Sequence, residues 1–400
     1  MGKQLIQQWE RTASGWQSRG RSSRAADDRS LLVRGAYTPD STTTGPVFGS
    51  TFTDQEANAV GIITLSTTNL VCENMTHWGE VRHQASGIRH NNCRFAGADP
   101  DLMYAGTYGS TGAGQLVKSY GGALYYHWTA ENCLFDPWLW YTERARTPMT
   151  DATFVAIDGI EGGDCELRWC HIRNVVDGVH FLHQENITDA GNLGYSEVGF
   201  SAPAGQRFCV VDRCLIEKGV YVAGDTYRAR PGAQSDGRPH GDGIQIMQGH
   251  NLYVTGTKIG GVRDSTGYTT WPNTGNPGNT GMDYVNACLM VKQEGTATSG
   301  DVIWLDNIVI EDGFLAGGGS FCVNFAVASG NDLTGVTIRN IKISQRQYGD
   351  GLGVDTNGDP TSAGSGYGYY RNSVQGSTWT GNTVLETGTT IPTGTNQAGI

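Results

Sequence analysis

Short apolar-x-apolar alternations recur along this chain. Each is followed by a polar corner and then a small-x-apolar step. The clearest copies are Asn92-Cys93-Arg94-Phe95, Asn132-Cys133-Leu134-Phe135, Trp169-Cys170-His171-Ile172 and Arg213-Cys214-Leu215-Ile216. The series continues through Gly256-Thr257-Lys258-Ile259, Asp306-Asn307-Ile308-Val309, Asn340-Ile341-Lys342-Ile343 and Asn382-Thr383-Val384-Leu385. Upstream lies a second alternating pair: Cys165/Leu167, Cys209/Val211, Leu252/Val254, Val302/Trp304 and Val336/Ile338. A third strand follows the step, as in Gly178-Val179-His180-Phe181, Gly243-Ile244-Gln245-Ile246, Ala287-Cys288-Leu289-Met290 and Phe321-Cys322-Val323-Asn324. Period-2 alternation makes these strands. The corner residues Asn92, Asn132, Asp306, Asn340 and Asn382 are of the types that accept the left-handed conformation of a sharp bend.

Three short strands per unit, one tight corner and spacings of 34–50 residues predict an all-β fold. It is a right-handed single-stranded parallel β-helix, a solenoid whose connections vary in length. Like residues then stack about 4.8 Å apart. Cys93, Cys133, Cys170 and Cys214 become one internal column, and the Asn residues a corner ladder. A β-sandwich also has many short strands, but it favours Asn-Gly hairpin turns, which are scarce here. The long insertions are 183–207, 221–239, 261–284 and 345–370. They are rich in Gly, Ser, Thr, Asn, Tyr and Trp, and project from the rod as a binding surface or the wall of a groove.

The ends differ from the middle. Residues 1–50 are an attachment or capping segment, 51–388 the β-helix and 389–400 an extended tail. Leu5, Ile6 and Trp9 fall at helical spacing before a Ser/Arg-rich stretch. This predicts a short helix and linker over residues 1–30, serving as a peg into a larger assembly or as a cap on the first turn. Cys72 lies one minimal turn before Cys93.

Composition narrows the function. Glycine supplies 58 of 400 residues and charged side chains only 17%, which suits turns and short strands and not surface helices. A net charge of −11 excludes a nucleic-acid footprint and leaves neutral glycans and proteins as partners. No apolar run reaches the roughly 20 residues of a membrane span. The first residues lack a signal-peptide h-region, so synthesis in a cytoplasm is expected. Nine cysteines without a C-x-x-C pair predict neither a disulfide framework nor a zinc site, and no cofactor is expected.

Candidate chemistry centres on His240-Gly241-Asp242-Gly243-Ile244-Gln245 and its parallel, Val176-Asp177-Gly178-Val179-His180. Asp158-Gly159 and Asp312-Gly313 are weaker copies. Asp177 and Asp242 share one column, and His180 and Gln245 share another that faces outward. With one turn between them, the two carboxyls fall within the spacing used for glycoside hydrolysis. Asp242 and Asp177, with His240 or His180, are therefore the candidate catalytic residues. The competing reading is a turn device, since Asp before Gly caps a tight turn by bonding its own backbone. Arg228, Arg230 and Arg238 precede Asp242 and suit either holding a carboxylated sugar or raising the acidity of a proton donor. Trp138 and Trp140, in Pro137-Trp138-Leu139-Trp140-Tyr141, are either a stacking platform for sugar rings or a loop packed on the rod. Trp271 is the more exposed candidate. The Asp-rich run from Asp350 to Asp359 lacks the terminal Glu of an EF-hand loop.

On these ladders and the His240-to-Ile246 segment, the chain resembles the pectin-lyase-like superfamily of right-handed β-helices over about residues 50–388. The Asp-Gly-Ile strand is similar to that of polygalacturonase-type hydrolases. Their Gly-His-Gly and Arg-x-Lys are not matched, because Gly249-His250 is followed by Asn251. The peg and the loop-studded rod look more like bacteriophage tailspikes and minor tail proteins. That resemblance implies a place in the virion tail, contact with other tail proteins through residues 1–30, recognition of a host surface glycan, and often a homotrimer. It leaves three expectations: glycan binding, polysaccharide hydrolysis or lysis, and a purely structural tail-tip role.

Overall fold

The computed structural model describes residues 6–12, 15–22, 39, 43–99, 115–121, 124–125, 127–144, 158–162, 165–175, 177–181, 196–197, 200–201, 209–217, 241–246, 249–260, 285–292, 305–315, 318–326, 335–343, 368–371, 377–385, 387–393 and 397–398. The chain forms a parallel β-helix. Three sheets of nine or ten strands run its length, coiled in the right-handed sense of parallel crossovers. In each turn it visits sheet I (for example Val179–Phe181), sheet II (Cys209–Asp212) and sheet III (Leu215–Ile216), then returns to sheet I at Gly241–Ile246. The first solenoid strand is Thr53–Glu56 and the last parallel one is Thr383–Val384.

Registers carry each inward residue onto its equivalent one turn later. On sheet I the row Ile63, Val81, Val117, Ile160, Val179, Ile244, Leu289 and Val323 is buried throughout. On sheet III the row begins at Gln55 and His77 and runs through Phe95, Phe135, Ile172, Ile216, Ile259, Leu315, Ile343 and Val384. Phe95 and Phe135 lie face to face, centroids 4.4 Å apart and 2° from parallel.

The corner from sheet II to sheet III is always tight. Its residue takes a left-handed φ of 50–67° at Asn92, Asn132, Trp169, Arg213, Gly256, Asp312, Asn340 and Gly381. The next residue turns inward, and Cys93, Cys133, Cys170 and Cys214 form the expected column, all fully buried and all free thiols. The Cys93 backbone N–H donates to Cys133 Sγ at 3.4 Å, and Thr257 Oγ1 extends the column by accepting from the Cys214 N–H at 3.3 Å. The Asn ladder exists but is interrupted. Asn92 donates to Asn74 Oδ1 and to Ser50 Oγ, and accepts the Val47 N–H, whereas at the middle corners the Arg213 guanidinium lies 5.2 Å from the Trp169 ring centre. Asn92→Ala removes three bonds and leaves a poor left-handed residue, so a loss of about 2 kcal/mol is expected in urea titration.

Four expectations need correction. The turn anchored at Asn307 bends instead at Asp312-Gly313, because Leu305–Glu311 is a seven-residue strand with Ile308 and Ile310 inward. Asp306 therefore pairs with His250 inside sheet II and is no corner. In the last turn Gly381 takes the bend and Asn382 turns inward, its Oδ1 accepting the Ile341 N–H at 2.9 Å. Cys72 is not one turn before Cys93; Met75 holds that place, and Cys72 belongs to sheet II opposite His90. Ile6 and Trp9 lie in a strand, Ile6–Thr12, paired antiparallel with Gly15–Ser22. A helix so short and so close to Gly2 and Gly15 has too few bonds to offset nucleation.

At the far end the chain folds back. The Ile391 side chain is buried against the last rung, and Trp379 Nε1 donates to its carbonyl at 3.1 Å. Gln397–Ala398 then pairs with Gly368–Arg371 in antiparallel sense, closing sheet I. Among the described residues no helix is long and apolar enough to cross a membrane.

Candidate functional site

Among the described strands, the long connections fall at two kinds of junction. Segments 221–239, 261–284 and most of 345–370 lie between sheet III and sheet I, and 183–207 lies between sheet I and sheet II. Sheet I is thus bordered on both edges by these junctions. These insertions lie outside the described residues, except the antiparallel pair Ser196–Glu197 and Phe200–Ser201. Gly368–Tyr370, placed in an insertion by the sequence reading, belongs to sheet I.

The outward row of sheet I runs Arg82, Lys118, Glu161, His180, Gln245, Met290, Asn324. His180 and Gln245 share it, as their alternation predicts. Arg82 to Gln245 are half-buried, while Met290 and Asn324 are buried. Lys118 Nζ is 3.9 Å from Glu161, and Arg82 Nε is 2.5 Å from the buried Glu80 carboxylate.

Asp158, Asp177 and Asp242 open three successive sheet I strands at the junction with sheet III. Val179 pairs directly with Ile244. The expected intervening turn between Asp177 and Asp242 therefore does not exist, because residues 182–240 are one turn with long connections. The Asp242 N–H donates to Asp177 Oδ1 at 2.6 Å, and the Ala287 N–H donates to Asp242 Oδ1 at 2.8 Å. Each carboxyl thus anchors the next turn. The following glycine is equally constrained. A Cβ on Gly159 would meet the Gly178 carbonyl oxygen at 2.4 Å, and one on Gly178 would meet that of Gly243 at 2.4 Å. The Asp-Gly repeat is a stacking device that also lines up acids one rung apart.

That crowding shifts their proton affinity. Burial, with the Asp242 charge adding and the Asp242 N–H opposing, pushes Asp177 up to about 8. Burial, then the charges of Asp177 and Glu161, pushes Asp158 well above the usual carboxylate range. Unfolded, Asp177 ionises near 3.8; folded, it keeps its proton to about 8. The folded state carries the extra proton between those values, so this group's contribution is most favourable below about pH 4 and declines as pH rises towards 8. Asp177→Asn retains an acceptor oxygen and removes the charge. It is expected to flatten the decline and to stabilise the protein at pH 8 by about 1–2 kcal/mol in urea titrations at several pH values.

The aromatic run forms a short helix, Leu139–Thr142. Trp140 is buried, with Nε1 donating to the Gly97 carbonyl at 3.1 Å and its ring edge-on to Trp78 at 4.9 Å. It packs the loop onto the rod and presents no free face for a sugar. Trp138 is half-buried, its N–H donating to Asp136 Oδ1 at 2.9 Å. His240, Arg228, Arg230, Arg238, Trp271 and the run 350–359 lie outside the described residues. Asp158 was visible only as a weak Asp-Gly copy, yet it completes the acid column. A cluster of buried histidines near the first turns carried no sequence signal at all.

Comparison with protein-family models, with curated proteins and with solved structures found no match.

Proposed function

We propose that this chain is a bacteriophage tail component, of the tailspike or minor-tail kind, that binds a host surface polysaccharide. The observation that carries the reading is the Arg82-to-Gln245 row. It is a straight ladder of polar side chains one rung apart, on the sheet whose strands are both entered and left through long connections. An extended polymer lying along the rod meets a donor or acceptor at each step, the use to which solenoid faces are suited. Residues 1–30 would join the rod to neighbouring tail proteins in the virion, with a homotrimer as its assembled form. Isothermal titration against a panel of capsular and cell-wall polysaccharides tests this. Saturable binding by the full chain, weakened at least tenfold in Lys118→Ala/Gln245→Ala, is expected; a folded protein that binds none of them overturns it. Removing residues 1–30 should abolish incorporation into particles and leave polysaccharide binding intact.

A second reading is favoured by one specific feature, the raised proton affinity of Asp177 beside Asp242. A carboxyl that holds its proton near neutrality is what a general acid in glycoside cleavage requires, and acids one rung apart match the closer, retaining separation. New reducing ends or unsaturated products in the same incubations would support it. Asp242→Asn keeps an acceptor for the Ala287 N–H and should abolish those products.

A further inference from the structure

The bore of the solenoid is aliphatic or aromatic along most of its length, but its first turns are lined by imidazoles. His77, His83 and His90 are fully buried, and Cys72 nearly so. Cys72 and His90 are register partners on adjacent sheet II strands, and His77 lies across the Asn74 corner from Cys72. One donor atom from each of Cys72, His77 and His90 lies within 4.8 Å of the other two.

The hydrogen bonds around these rings leave free nitrogens. His77 Nδ1 is 2.7 Å from Gln55 Oε1, an acceptor, so this nitrogen carries the proton and Nε2 presents its lone pair. That Nε2 has no partner among the described residues. His90 Nε2 is 2.9 Å from His83 Nε2, and His90 Nδ1 is likewise buried without a partner. A buried imidazole nitrogen without a well-formed hydrogen bond is costly, and natural cores avoid it. Here two occur together, with the Cys93 thiol as their neighbour.

We propose that Cys72, His77 and His90 hold a zinc ion inside the first turns of the rod, with Cys93 as the fourth ligand. Sulfur and imidazole donors select zinc among abundant divalent ions, and structural zinc is four-coordinate. Cys93 opens the thiol column one turn above Met75 and lies next to the site, its Sγ 3.4 Å from the Cys72 carbonyl oxygen. Charge balance also selects it. In a dry bore a dication is stable only when neutralised, and two thiolates do that, their two protons leaving to solvent as zinc enters. Zn–S near 2.3 Å and Zn–N near 2.0–2.1 Å require the donors of Cys72, His77 and His90 to close by about 1 Å, and the Cys93 thiol, outside that set of three, to turn towards them. Gln55 and His83 then orient the two imidazoles from behind, as outer partners do in zinc sites. The competing account is that the rings merely fill space: His83 packs at a tilt against Trp128, centroids 4.7 Å apart, and His77 likewise against Phe95 at 4.8 Å.

The test begins with the full chain expressed in zinc-supplemented medium, desalted, and analysed by plasma mass spectrometry. One zinc per chain is expected. Exchange into cobalt should produce a thiolate-to-cobalt charge-transfer band and the strong visible bands of a tetrahedral site. Cys72→Ala and His90→Phe should lose both signals, and Cys133→Ala, in the thiol column but outside the site, should keep them. Gln55→Ala should weaken metal affinity by roughly 10–100-fold, the usual effect of losing an outer partner. Sub-stoichiometric zinc together with no charge-transfer band in the wild-type chain overturns the proposal without relying on any variant. So does metal retained in full by a folded Cys72→Ala protein.

Discussion

Gly178→Ala should lower the unfolding free energy by about 3 kcal/mol, at the upper end of what an inserted methyl costs in a packed interior. The added carbon would sit 2.4 Å from the Gly243 carbonyl oxygen and 2.5 Å from Ile216 Cγ2. Neither neighbour can yield cheaply. The Gly178 N–H is itself bonded to the Asp242 carbonyl at 2.9 Å, so moving the strand breaks the rung that joins two turns. Gly49 supplies the contrast: nothing lies within 4 Å of its Cβ direction, and its φ of +81° is the only obstacle. Gly49→Ala should therefore cost about 1 kcal/mol, from backbone strain alone. Urea midpoints by circular dichroism, compared at equal slope, decide the matter. Equal effects at the two sites would mean that the Asp-Gly strands do not stack as described.

Asp136→Ala should be comparably damaging, by about 3–4 kcal/mol. Its carboxylate is buried and is shared by the Arg173 guanidinium at 2.7 Å, the Asn174 amide at 2.7 Å and the Trp138 N–H at 2.9 Å. Truncation strands the buried Asn174 amide and takes the partner from the Arg173 and Trp138 donors, and the loss of a buried partner costs far more than the pair contributes on balance. Arg173 is more than one-third exposed. Arg173→Ala should cost less, about 1–2 kcal/mol, because the buried carboxylate loses its countercharge but keeps the Asn174 and Trp138 donors. Thermal melts of both variants, with tryptophan fluorescence reporting on the Trp138–Trp140 turn, separate a lost hub from a lost surface ion pair. Near-equal losses would contradict the assigned burial.

The architecture was legible because a stacked column imposes one side-chain type on many turns. Four cysteines after a corner residue cannot be explained by local propensity, and a small thiol suits the crowded position where the chain turns inward. The errors arose where that logic had two solutions. Leu305–Glu311 is long enough for a four-residue pattern to fit twice, and the earlier fit was the wrong one. In the last turn the rule that Asn accepts a left-handed bend pointed to Asn382, although Gly381 accepts it at lower cost. The Asp-Gly pairs were equally visible, but their bonds to the next turn depend on which turn is next. That cannot be read while long connections separate the strands. The imidazole cluster lay beyond reach for the same reason: its members come from two turns and three strand ends, so no fixed spacing connects them.

The reversed strand at Gln397–Ala398 has a consequence for how these molecules behave in a crowd. An open parallel edge is a template on which another copy can dock in register, end upon end, as amyloid fibres grow. A strand of opposite polarity presents the wrong hydrogen-bond phase to such a newcomer, and Ile391 seals the hydrophobic mouth beneath it. Chains shortened before residue 387 should therefore polymerise into filaments while each unit stays folded.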